Sequence, residues 1–414
     1  MTDYTVFLRN GCVCIVMLIL TGCYQPGSVS SSVSTDSEVS TLKEDMEFLQ
    51  RYGPLQILEG SNGSRVVLSA QYQGRVMTSA VDYNGASLGW INRLFITSRQ
   101  TGSQFDNYGG EDRFWLGPEG GQYGLYFRKG SPFEFSHWQV PGGLQENSWT
   151  IQKQSATSVT YNHPVEVTNY TGTTFNIEVE RTVRLLSVEE IEQKMGITLP
   201  EALKWVGFAT ENRVTNTGQK GWMKADGLLS IWILSMLNPF GETYVVVPFD
   251  PAASGEVVND AYFGKVPPDR LDVRNDYLIF KCDGEYRSKI GLGSERALAM
   301  LGSYNVSLGL LTLVQFDKPE GATDYVNSMW ELQEKPYSGD VINSYNDGPT
   351  EPGKPTLGGF YELETSSPAL TLSPGESYTH IQRTLHLIGG PTALDPVARA
   401  VLGISLSEIA DEAE

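Results

Sequence analysis

The stretch Gly358-Gly-Phe-Tyr-Glu-Leu-Glu-Thr-Ser-Ser-Pro-Ala369, followed by Leu372-Ser-Pro-Gly-Glu-Ser-Tyr-Thr-His380, carries the reading of this chain. Residues 360–365 read as a strand. Side chains two apart on a strand share a face, so Glu362 and Glu364 point the same way. Carboxylates about 7 Å apart repel, which favours the protonated form of one of them. Such a pair suits a general acid or base. In the next strand His380, Gln382, Thr384 and His386 share one face, while Ile381, Leu385 and Leu387 share the other with Arg383. A polar face with two of the 4 histidines reads as the wall of a site, the alternative being a solvated outer face.

Upstream of this segment strand follows strand. Strands are expected at 55–58, 65–70, 75–81, 123–127, 158–167 and 174–185, and again from 206 to 387. They are parted by turn signals such as Ser61-Asn-Gly63, Tyr83-Asn-Gly85, Pro141-Gly-Gly143 and Tyr170-Thr-Gly172. Long loops fall near 250–275 and 335–358. Thr41-Leu-Lys-Glu44 and Ser187-Val-Glu-Glu190 are capping boxes. The first opens a short helix ending near Gly53-Pro54. The second opens one reaching about Met195, with a further turn at 200–204. A last apolar helix is expected at 396–402. No tandem repeat is visible, and no linker interrupts 55–390. With 43 Gly, 20 Tyr and 8 Trp, this is the profile of a β sandwich or barrel, and aromatic faces suit sugar rings.

The first residues hold an apolar run, Val13-Cys-Ile-Val-Met-Leu-Ile-Leu20, too short for a permanent membrane span. It ends in Leu20-Thr21-Gly22-Cys23 and a serine-rich stretch. We read 1–22 as a lipoprotein signal peptide, Cys23 as the lipidated residue, 23–40 as a flexible tether and 41–414 as one β domain. The expected location is the envelope of a Gram-negative bacterium, at the outer membrane and facing periplasm or surface, with the membrane met through the lipid anchor alone. Cys12 and Cys14 then leave with the signal, and Cys282 is the one cysteine of the folded domain. It has no partner for an internal disulfide or a redox pair, and a small buried apolar role is the commoner one. Acidic residues outnumber basic ones, 49 to 30, for a net charge of -19. This argues against nucleic acid and polyanionic substrates and leaves neutral ligands open. No cofactor or metal pattern is read, and the oligomeric state is left open.

Two further segments offer chemistry. In Tyr108-Gly-Gly-Glu-Asp-Arg-Phe-Trp-Leu-Gly-Pro-Glu-Gly-Gly121 two glycine pairs bracket Glu111, Asp112, Arg113, Trp115 and Glu119. An arginine beside carboxylates sets their pKa or holds sugar hydroxyls, the alternative being a tight loop pinned by its own Asp–Arg pair. Tyr337-Ser-Gly-Asp-Val-Ile-Asn-Ser-Tyr-Asn-Asp-Gly-Pro349 offers Asn343, Tyr345, Asn346 and Asp347 as hydrogen-bonding groups for a sugar, or for a plain Asx-turn loop. It brushes a calcium-loop pattern, but Lys354 stands where the bidentate glutamate belongs, so that reading is rejected.

Leu363-Glu364-Thr365 and Pro374-Gly375-Glu376-Ser377-Tyr378 resemble the C-terminal signature of the galactose mutarotase-like (aldose 1-epimerase) superfamily. Gly109-Gly110-Glu111-Asp112-Arg113-Phe114-Trp115 is similar to a segment of mutarotase-like proteins of unknown function, Asn216-Thr217-Gly218 to the hairpin where that fold crosses its sheets, and the chain as a whole resembles a family of envelope lipoproteins with this fold and no assigned function. The likeness covers most of 55–390. It implies a mainly β supersandwich of two large antiparallel sheets with a few short helices, and Glu364 as the catalytic carboxylate. The epimerases' mid-chain histidine is absent: none lies between 164 and 379. The expected function is carbohydrate handling by acid/base chemistry of epimerase, mutarotase or lyase type on a neutral sugar. Glu364 or Glu362 would be the base, His380 or Asp112 the acid, Arg113 and Asn346 would hold hydroxyls, and Trp115 would stack on the ring. The alternatives are a non-catalytic glycan-binding lipoprotein and a purely structural one.

Overall fold

Along Thr174–Leu185 buried and exposed side chains alternate, with Phe175, Ile177, Val179 and Val183 inward, the two-residue period of a strand covered on one face. This pattern recurs through the chain. A computed structural model describes residues 39–145, 148–349, 353–354 and 356–411. The expected signal peptide, Cys23 and nearly all of the tether lie outside the described residues.

The protein is mainly β. One antiparallel sheet has ten strands, in the spatial order Leu271–Val273, Tyr277–Lys281, Thr243–Pro248, Met300–Asn305, Leu310–Phe316, Ser377–Ile388, Lys204–Asn216, Thr174–Leu185, Ser158–Thr168 and Thr150–Gln154. A second has five: Ser288–Gly293, Asp340–Asn346, Tyr361–Ser366, Ser230–Leu237 and Arg113–Gly117. A three-stranded sheet, Gln56–Glu59, Arg65–Ser69 and Arg75–Ala80, stands apart in pairing. The chain passes from the large sheet to the five-stranded one after Asn216, at the Asn216-Thr217-Gly218 turn that the sequence marked. There Asn216 Oδ1 accepts from Gly218 N at 2.9 Å, while its Nδ2 donates to Leu372 O at 2.9 Å.

The layer between the two large sheets is apolar in part, with Leu301, Val314, Phe316, Ile342 and Leu363 packed together. Burying such side chains supplies most of the stabilisation of the fold. Beside this cluster the layer is polar. Arg181, fully buried, donates to Asp112 Oδ1 at 2.6 Å and to Gly74 O at 3.0 Å. Gln382 Nε2 donates to Asp112 Oδ2 at 2.9 Å. Buried charges persist only when paired and hydrogen-bonded like this. The other face of the large sheet is apolar: Leu385, Leu387 and Leu313 pack against Ile191, Leu394, Val397 and Leu402.

Both capping motifs open helices, the first as a reciprocal capping box and the second through its serine alone, since Glu190 turns to Arg184. Thr41 caps Leu42–Leu49 with Glu44 reaching back, and Ser187 caps Val188–Met195. The last helix starts earlier than expected, at Pro391, because its first turn docks Leu394. Residues 123–127 are not a strand. The N–H groups of Leu125 and Tyr126 go to Pro118 and Glu119 carbonyls rather than to a ladder. Cys282 is a buried core residue beside Phe280 and Tyr361, and burial pushes its thiol well above the usual range.

Candidate functional site

The five-stranded sheet places its residues in cross-strand rows. Lys289 pairs with Tyr345, Tyr345 with Glu362, and Glu362 with Met236. One step along the strands, Asn343 pairs with Glu364, Glu364 with Leu234, and Leu234 with Arg113. Trp232 pairs with Trp115 beyond them. Alternation brings these side chains to one face, and it is the face turned away from the large sheet. Loops carrying Phe105, Phe135, Trp138, Phe263, Trp330 and Phe360 close over it and leave a partly open cavity. The wall is chiefly aromatic, with Arg113, Glu119, Arg287, Lys289 and Glu362 as its charged members. An aromatic wall with a few charged groups set into it is the make-up of a small-molecule site.

Two ion pairs organise the floor. Arg113 Nη2 donates to Glu362 Oε1 at 2.7 Å, and the guanidinium lies 4.1 Å from the centre of the Trp115 ring. Lys289 Nζ donates to both oxygens of Glu364 at 3.0 and 2.9 Å, and Trp232 Nε1 donates to Oε2 at 2.9 Å. Burial pushes the Glu362 carboxyl up to about 7, with Arg113 opposing and Glu364 adding to the rise. Burial opposes the charge on Lys289 too, but Glu364 and Glu119 outweigh it, and its pKa is raised. Glu119 accepts from Trp138 Nε1 at 2.7 Å, and burial raises its carboxyl although Lys289 pulls the other way. The cavity therefore offers a carboxyl that titrates near neutrality, a second that burial shifts upward, and cations in the same wall.

The structure brings together Arg113, Trp115, Glu119, Tyr345 and Glu362 of the sequence-derived set. It separates the rest. Glu364, fully buried, does not line the cavity, although its partners Lys289 and Trp232 do. His380 is expected in the site wall as an acid. It sits between the sheets instead, its Nε2 2.8 Å from Thr365 Oγ1. Asp112, expected as an alternative acid, is held there by Arg181, and burial raises its carboxyl. Glu111 is in the same layer, accepting from Ser79 Oγ at 2.7 Å with His386 Nε2 at 2.9 Å. These three were misplaced because one face of the large sheet is polar and still turned inward. Gly109 and Gly110, at φ 81° and 120°, turn the backbone just ahead of Glu111.

Asn346 points to the same inner side as Leu363 and braces a loop. It donates to Asp283 Oδ1 at 3.1 Å and Tyr286 O at 3.0 Å, and accepts from Gly284 N at 2.8 Å. Asp347 accepts from the N–H groups of Gly358 and Gly359, each at 2.8 Å, and from Tyr345 Oη at 3.0 Å. It positions Tyr345 without lining the cavity. Asn343 belongs to a small polar chamber shared with Tyr262, Lys289 and Asp340. Among the described residues no group of three or more His, Cys, Asp or Glu is placed to hold a metal ion.

Sequence reasoning missed Lys289, Arg287 and Trp232. Arg287 and Lys289 alternate with Ser288 and Ile290, a pattern that reads as a solvated face. Trp232, Leu234 and Met236 alternate within a run apolar on both faces, which hides the side that lines a cavity.

A family model described as Family of unknown function (DUF6786) matches residues 40–413. No curated protein matches the sequence. In structure the chain is similar to a galactose mutarotase-like protein from Lactobacillus casei, at 12% identity and TM-score 0.46 over 81% of this chain and 99% of the other. It is also similar to a galactose mutarotase related enzyme from Lactobacillus acidophilus, at 10% identity and TM-score 0.41 over 81% and 98%.

Proposed function

The chain belongs to that family of unknown function, DUF6786, and from its own cavity we propose that it handles a sugar ring by acid–base chemistry, with Glu362 as the group that takes and returns the proton. The observation that carries this reading is the setting of Glu362. It lines an aromatic cavity, and burial holds its carboxyl near 7, where a group both takes up and releases a proton at neutral pH. The rings of the wall supply apolar faces for a sugar's C–H surface. Arg113 steadies the ionised form of Glu362, and Glu119, its carboxyl shifted upward by burial, is the second acid–base group of the same cavity. Glu364 acts as a positioning residue: it fixes Lys289 and Trp232. We place this chemistry at the bacterial envelope, held there by lipid on Cys23, on the strength of the Leu20-Thr21-Gly22-Cys23 box.

A second reading, non-catalytic glycan binding, is favoured by the way each strand carboxylate is already engaged by a cation. One experiment separates the two. Anomeric exchange of hexoses and hexuronates is followed by NMR with wild type and Glu362→Gln, alongside their affinities. Loss of exchange with affinity retained supports catalysis. Binding without exchange in wild type supports the second reading, and no binding of any sugar overturns both.

A further inference from the structure

The acidic balance of the whole chain pointed to a neutral ligand, but the local balance of the cavity is different. Fields from surface charges fade over about 8 Å in physiological salt, so a buried site answers to its own wall. Three cations line it: Arg113, Arg287 and Lys289. Glu362 matches the first and Glu364 the third. Arg287 forms no ion pair among the described residues. Arg113 is only 4% exposed, yet its Nε and Nη1 have no hydrogen-bond partner among them, and neither does the buried Nε of Arg287. Buried donors without acceptors are costly, and a ligand oxygen relieves that cost.

The aromatic faces speak against a cationic ligand. The Arg287 guanidinium lies 3.7 Å from the centre of Phe263, and Lys289 Nζ 4.9 Å from Trp232. Trp115, Phe135, Phe263 and Trp232 thus already hold the protein's own cations. A guanidinium stacked on a ring can turn its edge to a ligand, and that fork matches a planar carboxylate; Tyr345 shares the Arg287 edge without bringing a charge to it. With Glu119 and Glu362 in the wall and Glu364 beneath it, the cavity carries little net charge, so what it offers an anion is the guanidinium edge of Arg287 that no carboxylate takes, enough for one carboxylate. A phosphate dianion brings more than the wall matches, and a long polyanion meets the repulsion of a chain with net charge -19.

Resting on the sugar reading, we propose that the ligand is an acidic sugar, a hexuronate as monosaccharide or short oligosaccharide, whose carboxylate is taken by Arg287 beside the free donors of Arg113. The test is titration calorimetry of the full-length protein with glucose against glucuronate, galactose against galacturonate, glucose 6-phosphate, and benzoate as a carboxylate without a sugar. At least one uronate should bind about tenfold or more tighter than its hexose. Arg287→Gln should remove that preference, and Arg287→Lys should restore part of it, with melting curves of both variants checking the fold. Equal binding of hexose and uronate, a preference that survives Arg287→Gln, or tightest binding of the phosphate overturns this inference and leaves the sugar reading standing. Arg287-dependent binding of benzoate with no sugar bound overturns the sugar reading itself, and the acidic-sugar proposal with it.

Discussion

Glu362 and Glu364 stand two residues apart on one face of the strand Tyr361–Ser366, and each answers to a different cation: Glu362 to Arg113 at 2.7 Å, Glu364 to Lys289 at 2.9 Å. The two carboxylates are therefore not interchangeable. Glu362 has a single guanidinium contact and opens on the cavity, whereas Glu364 is enclosed by an ammonium and an indole N–H.

If Glu362 is the proton-transfer group, Glu362→Gln keeps the shape and removes the acceptor. Turnover should fall by about a hundredfold or more, with ligand affinity retained. The wild-type rate should rise with pH around a midpoint near 7, as the ionised base is formed. A wild-type rate that is flat across that region would show that Glu362 takes no part in the proton transfer.

Glu364→Gln should act on stability. It strands Lys289 as an unpaired buried charge, and breaking a buried pair from one side costs about 3–5 kcal/mol. Combining it with Lys289→Met should recover most of that loss. Urea denaturation of the single and double variants measures both effects, and an unchanged midpoint for Glu364→Gln would refute the pairing.

His380 predicts an acid-sensitive fold. Burial lowers its pKa from 6.5 to about 4, and Nδ1 has no hydrogen-bond partner among the described residues. The unfolded chain takes the proton first as pH falls. The stabilisation is thus complete above 6.5 and is lost as pH drops towards 4, in all of order 3 kcal/mol. His380→Gln should flatten stability against pH in that window. Equal slopes for wild type and variant in urea unfolding would contradict the assignment.

Asn346 and Trp115 should separate in their effects. Asn346→Ala unties the loop around Gly284 and Tyr286, at a cost of about 1–3 kcal/mol in stability. Trp115→Ala removes the ring under Arg113 and should weaken ligand binding. Parallel melting and titration of the two variants checks this, and a larger loss of affinity in Asn346→Ala would reverse the assignment.

The anchor is testable without the fold. Cys23→Ser removes the thiol that would carry the lipid, so the variant should accumulate unprocessed or leave the membrane fraction. Fractionation and gel migration identical to wild type would rule the anchor out.

Local signals in the sequence determined the strands with one covered face and the two capped helices, because alternation and caps act over a few neighbouring residues; the crossing after Asn216 was implied only by the resemblance to a known fold. The grouping of Arg113, Trp115 and Glu119, which line one cavity, was legible for the same reason: these residues lie close along the chain. Tertiary structure alone decided which carboxylate faces the cavity. Glu362 finds Arg113 at a separation of 249 residues and Glu364 finds Lys289 at 75, through a strand register that no local pattern encodes. It also decided the place of His380 and Asp112. A polar strand face looks alike in sequence whether it meets solvent, a ligand or a second sheet, and here the second sheet carries Thr365, while Arg181 within the layer supplies the charge that lets Asp112 be buried.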